Sequence, residues 1–325
     1  MTAGVLLIGG TGRSGSTLLS RLLAELPGFV AVGELRYLWT ETLPENRLCG
    51  CGTAFRSCPF WTKVGERAFG NWGRVDLAEV AALQRAVARH RHVPLLLIPG
   101  GPPARLASGL QRYRRLLDAT YRAIREVSSA DVVVDSTKDA AHAVVLRGMP
   151  GADVRLAHLV RDSRGVAWSW EKVVRSPDVV DREHYLRRFS PLVTALRWNA
   201  YNLMIESLGR LGVPRLLVRY ERLTSDPVRT LGRVAAFAGR PADSGALAEI
   251  ESGLGRFGIH HTVAGNPMRL SSGSIDVRPD DAWRTAMPRS QRLLVAGVTW
   301  PLLRHYERKS DAHSSWPAPA RELAP

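Results

Sequence analysis

Hydrophobic positions along this chain follow two rhythms. Val5-Leu6-Leu7-Ile8 is an unbroken apolar run that meets a glycine-rich turn, as expected of a strand buried on both faces. Leu18, Leu19, Leu22, Leu23 and Leu26 then recur at helical spacing until Pro27-Gly28 closes the helix. Residues 29–32 read as a second short strand leading to Gly33-Glu34. Later strands are predicted at 131–135, 155–160 and 215–219. Helices are expected near 76–90, 106–127, 140–147, 193–209 and from Asp226-Pro227 onward, with another through Trp168 and Ser169. Strands alternating with helices imply a parallel sheet covered on both faces, which binds ligands at the carboxyl ends of its strands.

No linker divides the 325 residues. One α/β domain over 1–308 is therefore expected, with an irregular, mostly helical insertion at about 35–110 and a disordered Ser-, Pro- and Ala-rich tail from 309 to 325. The net charge of +15 invites a nucleic-acid reading, but all but four of the 45 basic residues are arginine and they are scattered along the chain. Such a spread fits solvated surface or a polyanionic small molecule better, so no nucleic-acid partner is expected. The first strand starts at once with no signal-peptide pattern, and no apolar run, the stretch 93–98 included, is long enough to span a bilayer. A cytoplasmic protein without a transmembrane segment is the expectation.

The loop Gly10-Thr11-Gly12-Arg13-Ser14-Gly15-Ser16-Thr17 follows a strand and opens a helix, where backbone N–H groups and the helix dipole favour an anion. Gly10, Gly12 and Gly15 match the spacing of a dinucleotide loop, with Glu34 about 20 residues on as a ribose ligand. The nucleoside-triphosphate form needs a lysine where this chain has Ser16, so the kinase reading fails. Arg13 inside the loop, with hydroxyls on Ser14, Ser16 and Thr17, suits a terminal group with several anionic oxygens. A second anchor lies at the end of the strand at 155–160. There Arg161, with Ser169 eight residues later on the next helix, can converge on a separate phosphate.

Together the two anchors resemble those of the 3′-phosphoadenosine-5′-phosphosulfate (PAPS)-dependent sulfotransferases, in a bacterial form whose motifs are similar to tyrosylprotein sulfotransferases. The likeness covers residues 5 to about 306. It implies a P-loop-like parallel sheet flanked by helices on both faces, with the insertion on the acceptor side. It also implies that Gly12 to Thr17 hold the 5′-phosphosulfate and that Arg161 and Ser169 hold the 3′-phosphate. Val32-Gly33-Glu34 resembles the segment carrying the base, Asp135-Ser136-Thr137-Lys138-Asp139 one whose lysine approaches the sulfuryl group, and Arg219-Tyr220-Glu221 one whose tyrosine contacts the nucleotide. The run from Gly265-Asn266-Pro267-Met268-Arg269 through Trp283 resembles a loop that closes over the nucleotide, making Asn266 and Arg269 ligands.

The implied activity is in-line transfer of a sulfuryl group from PAPS, the co-substrate, to a hydroxyl on a small-molecule, carbohydrate or lipid acceptor. Glu34, Arg13 and Lys138 would be catalytic, and no metal is required. Whether Arg36 reaches the site is open, as is the choice of base between Glu34 and His142, His260 or His261; His158, inside a strand, reads as a core residue. Two alternatives stand beside this reading: a nicotinamide-dinucleotide-dependent oxidoreductase and a non-catalytic nucleotide-binding protein. Cys49, Cys51 and Cys58 fall within ten residues. They could take zinc with a histidine from elsewhere, but their spacing fits no standard zinc pattern, and buried thiols or one opportunistic pair is the expectation.

Overall fold

The computed structural model describes residues 3–97, 102–252, 256–274 and 277–312. The chain runs β1 (Ala3–Gly10), α1 (Ser16–Ala24) and β2 (Phe29–Gly33), then enters the insertion: a 3₁₀ turn (Leu35–Tyr37), a π turn (Leu38–Thr42), α2 (Pro59–Phe69), α3 (Leu77–Val87) and α4 (Val93–Leu96). The long α5 (Ala104–Ser128) returns the chain to β3 (Val132–Lys138), followed by α6 (Ala140–Arg147), β4 (Ala152–Val160), α7 (Ser163–Glu171), α8 (Pro191–Arg210) and β5 (Arg215–Arg219). Next come α9 (Tyr220–Ser225), α10 (Pro227–Phe237) and α11 (Ser244–Ser252), the small pair β6 (Arg256–Phe257) and β7 (Gly273–Ser274), then α12 (Trp283–Ala286) and α13 (Arg289–Ala312).

The main sheet has the order β2-β3-β1-β4-β5, with every pair parallel. This is the expected α/β class. Alternation along the strands splits the core in two, because successive side chains point to opposite faces. Val5, Leu7, Val133 and Leu156 pack with α5, α6 and the insertion. Leu6, Ile8, Val132, Val134, Ala157 and Leu159 pack with α1 and α10. The first cluster continues without a break into Trp39, Phe55, Trp61 and Val64, so the insertion shares the sheet's own core.

Residues 178–190 form no helix. They lie in a loop in which Arg175 bridges Tyr185, and α8 starts only at Pro191. Pro177 lacks the N–H a helix needs, and the Asp178 carboxylate accepts from Ser176 Oγ at 2.5 Å. At the other end of the chain α13 runs to Ala312, with Lys309 Nζ 2.9 Å from Glu206 Oε1 on α8. Residues 313–325, and Ile98 at the end of the run 93–98, lie outside the described residues. Among the described residues no helix is long and apolar enough to cross a membrane.

Candidate active site

The motif residues gather at the carboxyl edge of the sheet because each follows the last residue of a strand. Gly10 ends β1, Glu34 follows β2, Lys138 ends β3, Arg161 follows β4 and Tyr220 follows β5. The loop after β1 is pressed from three directions. A Cβ on Gly10 would meet Leu159 O at 2.3 Å, one on Gly12 the Trp170 ring at 2.6 Å, and one on Gly15 the Tyr220 ring at 2.5 Å. Gly15 also takes φ 93° as the N-cap of α1, and it offers no side chain to the first N–H groups of the helix.

Within the loop the hydroxyls divide. Ser14 is fully buried and donates to Thr11 O at 2.7 Å, so it braces the turn, while Ser16 and Thr17 open the first turn of α1. Arg13 takes φ 68°, in the left-handed region where a side chain is strained, and its guanidinium lies over the Trp170 ring at 5.2 Å. Trp170 Nε1 in turn donates to Gly12 O at 3.2 Å. Burial lowers the Arg13 pKa from its usual value while the neighbouring Glu34 carboxylate opposes the shift.

Glu34 is buried and caps nothing; its carboxylate accepts from Lys138 Nζ at 2.6 Å. Lys138 also donates to Ser136 O at 2.7 Å and sits at φ 65°. Its partner is therefore Glu34 and neither Asp135 nor Asp139. Asp139 instead caps α6, accepting from His142 N at 2.9 Å, and carries an ion pair with Arg36 and a 3.1 Å contact with His90. Arg36 thus reaches the rim of the site through Asp139. On the insertion side, burial and then Glu34 push the Tyr37 hydroxyl up to about 12, and burial raises the Glu41 carboxyl against the pull of Arg47.

The four histidines weighed from the sequence, His142, His158, His260 and His261, are each engaged by other groups. His142 is fully buried, 3.2 Å from Asp135 Oδ2; burial pushes that carboxyl up, but bonds from His142, Thr137 and Tyr121 outweigh it and hold it low. His158 is held between Asn202 and Arg215, each at 2.9 Å, and burial draws it down to about 4. His260 pairs with Glu25 at 2.8 Å, and His261 joins the cysteines.

At the second anchor, Arg161 lies over the Tyr220 ring at 4.5 Å and donates to Arg13 O at 3.3 Å. Its other donor meets Asp280, at 2.8 Å from the carbonyl and 3.1 Å from the carboxylate. Asp280 N donates to the Tyr220 hydroxyl at 3.3 Å. Nothing in the sequence marks Asp280 or Trp170 beyond their nearness to motif residues. Ser169 is half-buried in α7. Two residues expected as nucleotide ligands make contacts within the protein. Asn266 accepts from Met268 N at 3.0 Å to cap its own turn. Arg269 is 2% exposed and its guanidinium is bound to Thr262 O, Leu48 O and Asp178, all within 3.0 Å.

The strand order decides between the two readings of the glycine loop. A dinucleotide fold places β2 next to β1, whereas here β3 lies between them. A solved sulfotransferase domain from the curacin biosynthetic pathway is similar over 93% of this chain and 98% of its own, with 17% identity and a TM-score of 0.50. The fold is that of a sulfotransferase domain. A sulfotransferase domain from the Synechococcus PCC 7002 olefin synthase is also similar (23% identity, 92% of this chain and 94% of that one, TM-score 0.48). So is a mouse sulfotransferase complexed with PAP (11% identity, 95% and 89%, TM-score 0.40). No family model matches the sequence, and no curated protein matches it significantly.

Proposed function

We propose that this protein is a sulfotransferase that moves a sulfuryl group from PAPS to the hydroxyl of a small-molecule, carbohydrate or lipid acceptor. One observation carries the reading: Arg13 and Lys138, both in left-handed backbone, converge with Glu34 in front of a helix N-terminus that no side chain caps. Strained backbone at two cations beside one buried carboxylate is what a positioned catalytic cluster needs.

In this mechanism the acceptor oxygen attacks sulfur in line with the bond to the 5′-phosphate. Glu34 takes the hydroxyl proton, the sulfur–oxygen bond breaks, and adenosine 3′,5′-bisphosphate leaves with the electron pair. Lys138 binds Oε1 of Glu34, which orients the carboxylate toward the acceptor and keeps an ammonium beside the transferring group. Arg13, stacked on Trp170, would neutralise the sulfuryl and bridging oxygens, and the first N–H groups of α1 would hold the 5′-phosphate. The 3′-phosphate would replace the Asp280 carboxylate on Arg161, with Tyr220 as the floor.

Calorimetry with adenosine 3′,5′-bisphosphate tests the donor site, using NAD, NADP and ATP as controls. The bisphosphate should bind, and Arg161→Ala with Ser169→Ala should abolish binding. A preference for a dinucleotide would sink the proposal. Bisphosphate binding without turnover over a broad acceptor panel would leave a nucleotide-binding protein instead.

A further inference from the structure

Away from the donor loop, four soft donors from distant parts of the chain meet. Cys58 Sγ lies 3.6 Å from Cys49 Sγ, 3.7 Å from Cys51 Sγ and 3.2 Å from His261 Nδ1. Cys49 Sγ is 3.8 Å from the same nitrogen, and all four donor atoms fall within 4.8 Å of one another. A tetrahedron with zinc–sulfur bonds of about 2.3 Å has sulfur–sulfur edges of about 3.8 Å. The spacing is therefore that of a coordination shell.

The surroundings are built for these four atoms. Cys49-Gly50-Cys51-Gly52 forms a tight turn, with Gly52 N donating to Cys49 O at 2.9 Å and Gly52 at φ 84°. Gly50 lets the histidine loop come close: its N–H donates to Thr262 O at 2.9 Å, and a Cβ there would strike His260 O at 2.4 Å. Cys58 is the N-cap of α2. The His261 ring stacks on Phe60 at 4.8 Å and 7°, and Trp61 Nε1 donates to His261 O at 2.9 Å. Cys49 and Cys58 are fully buried and unbridged. Three mutually adjacent thiols cannot all be satisfied by one disulfide.

We infer that Cys49, Cys51, Cys58 and His261 form a structural zinc site. Three thiolates and an imidazole at tetrahedral spacing select zinc, and four protein donors leave no position for substrate. The shell would carry one net negative charge, and the buried Arg269 guanidinium, paired with Asp178, packs in the same seam. The metal would join the 48–58 turn and the start of α2 to the segment whose Val263 O accepts from Glu34 N at 2.8 Å. The inference departs from the expectation of structural thiols or one chance pair; the fourth donor lies 203 residues beyond Cys58.

The full chain, expressed with zinc in the medium and purified without chelator, should contain one zinc per chain by plasma mass spectrometry. Its thiols should resist Ellman's reagent until a chelator or denaturant is added. His261→Ala should lose the metal and expose the thiols. His261→Cys, which restores four donors, should keep it and guards against a variant that merely fails to fold. Cobalt(II) exchanged into wild type should show the intense visible bands of a tetrahedral thiolate site. Substoichiometric zinc with all thiols reactive in the native protein overturns the inference, as does an intact mass two hydrogens short from a cysteine bridge. The readout is metal content, so it stands or falls separately from sulfuryl transfer.

Discussion

On one side of Glu34 lies the loop from Gly10 to Thr17; on the other lies the seam where the 48–58 turn meets residues 260–269. The loop is short, continuous in sequence and shaped by its own backbone, with glycines where Leu159, Trp170 and Tyr220 press in. The seam is assembled from remote pieces: Arg269 bonds to Leu48 O across 221 positions and to Asp178 across 91. In the proposed reading the loop offers its backbone donors and Arg13 to an anionic ligand, whereas the seam turns Arg269 inward onto Thr262 O, Leu48 O and Asp178.

This contrast can be broken by mutation. The largest effect should come from Glu34→Ala, which removes the proposed base and should lower kcat by roughly 10²–10⁴-fold with bisphosphate affinity retained. An unchanged kcat would remove Glu34 from the chemistry. Arg269→Ala should do the reverse, costing about 3–5 kcal/mol in denaturant unfolding because Asp178 stays buried without its closest cation. If Arg269→Ala leaves stability intact but abolishes nucleotide binding, the residue belongs to the loop side after all.

His158 tests the core beneath both regions. Its folded pKa is depressed to about 4 by burial, below the ordinary value for histidine. The unfolded chain therefore takes up a proton first as pH falls. Stability should be full above about pH 6.5, fall as pH drops toward 4 and then level off, a loss on the order of 3 kcal/mol. Urea titrations across that range should show this slope in wild type and a flatter one in His158→Gln. At the donor site, Arg161→Ala alone should weaken bisphosphate binding by roughly 10- to 100-fold in calorimetry, as expected for loss of a charged hydrogen-bond donor. The smallest effect belongs to Asp280→Asn. With less negative charge competing for Arg161, the bisphosphate should bind a few-fold tighter, and weaker binding would mean that Asp280 helps hold the ligand.

Much of the loop side was legible in the sequence. Strand ends can be read from apolar runs, and residues that follow strand ends in a parallel sheet share one edge whatever else happens. Gly15 and Arg161 were therefore found without tertiary information, and the 215–219 strand was read to the residue. The seam was not legible. Arg269 belongs to a motif-like run, and only its 2% exposure and its three partners reveal a buried clamp. Asp280 has no pattern at all.

Period and punctuation in the sequence determined the alternation of elements, the parallel sheet, the glycine loop and the edge on which the charged residues gather, because these depend on neighbours a few positions apart. The tertiary structure alone decided which of those charges meet. Lys138 chose Glu34 over the adjacent Asp139, β3 came between β1 and β2, and His261 met a cysteine cluster that begins 212 residues earlier. Contacts of that kind are selected by packing and by the cost of leaving buried polar groups unpaired, and sequence spacing carries no record of either.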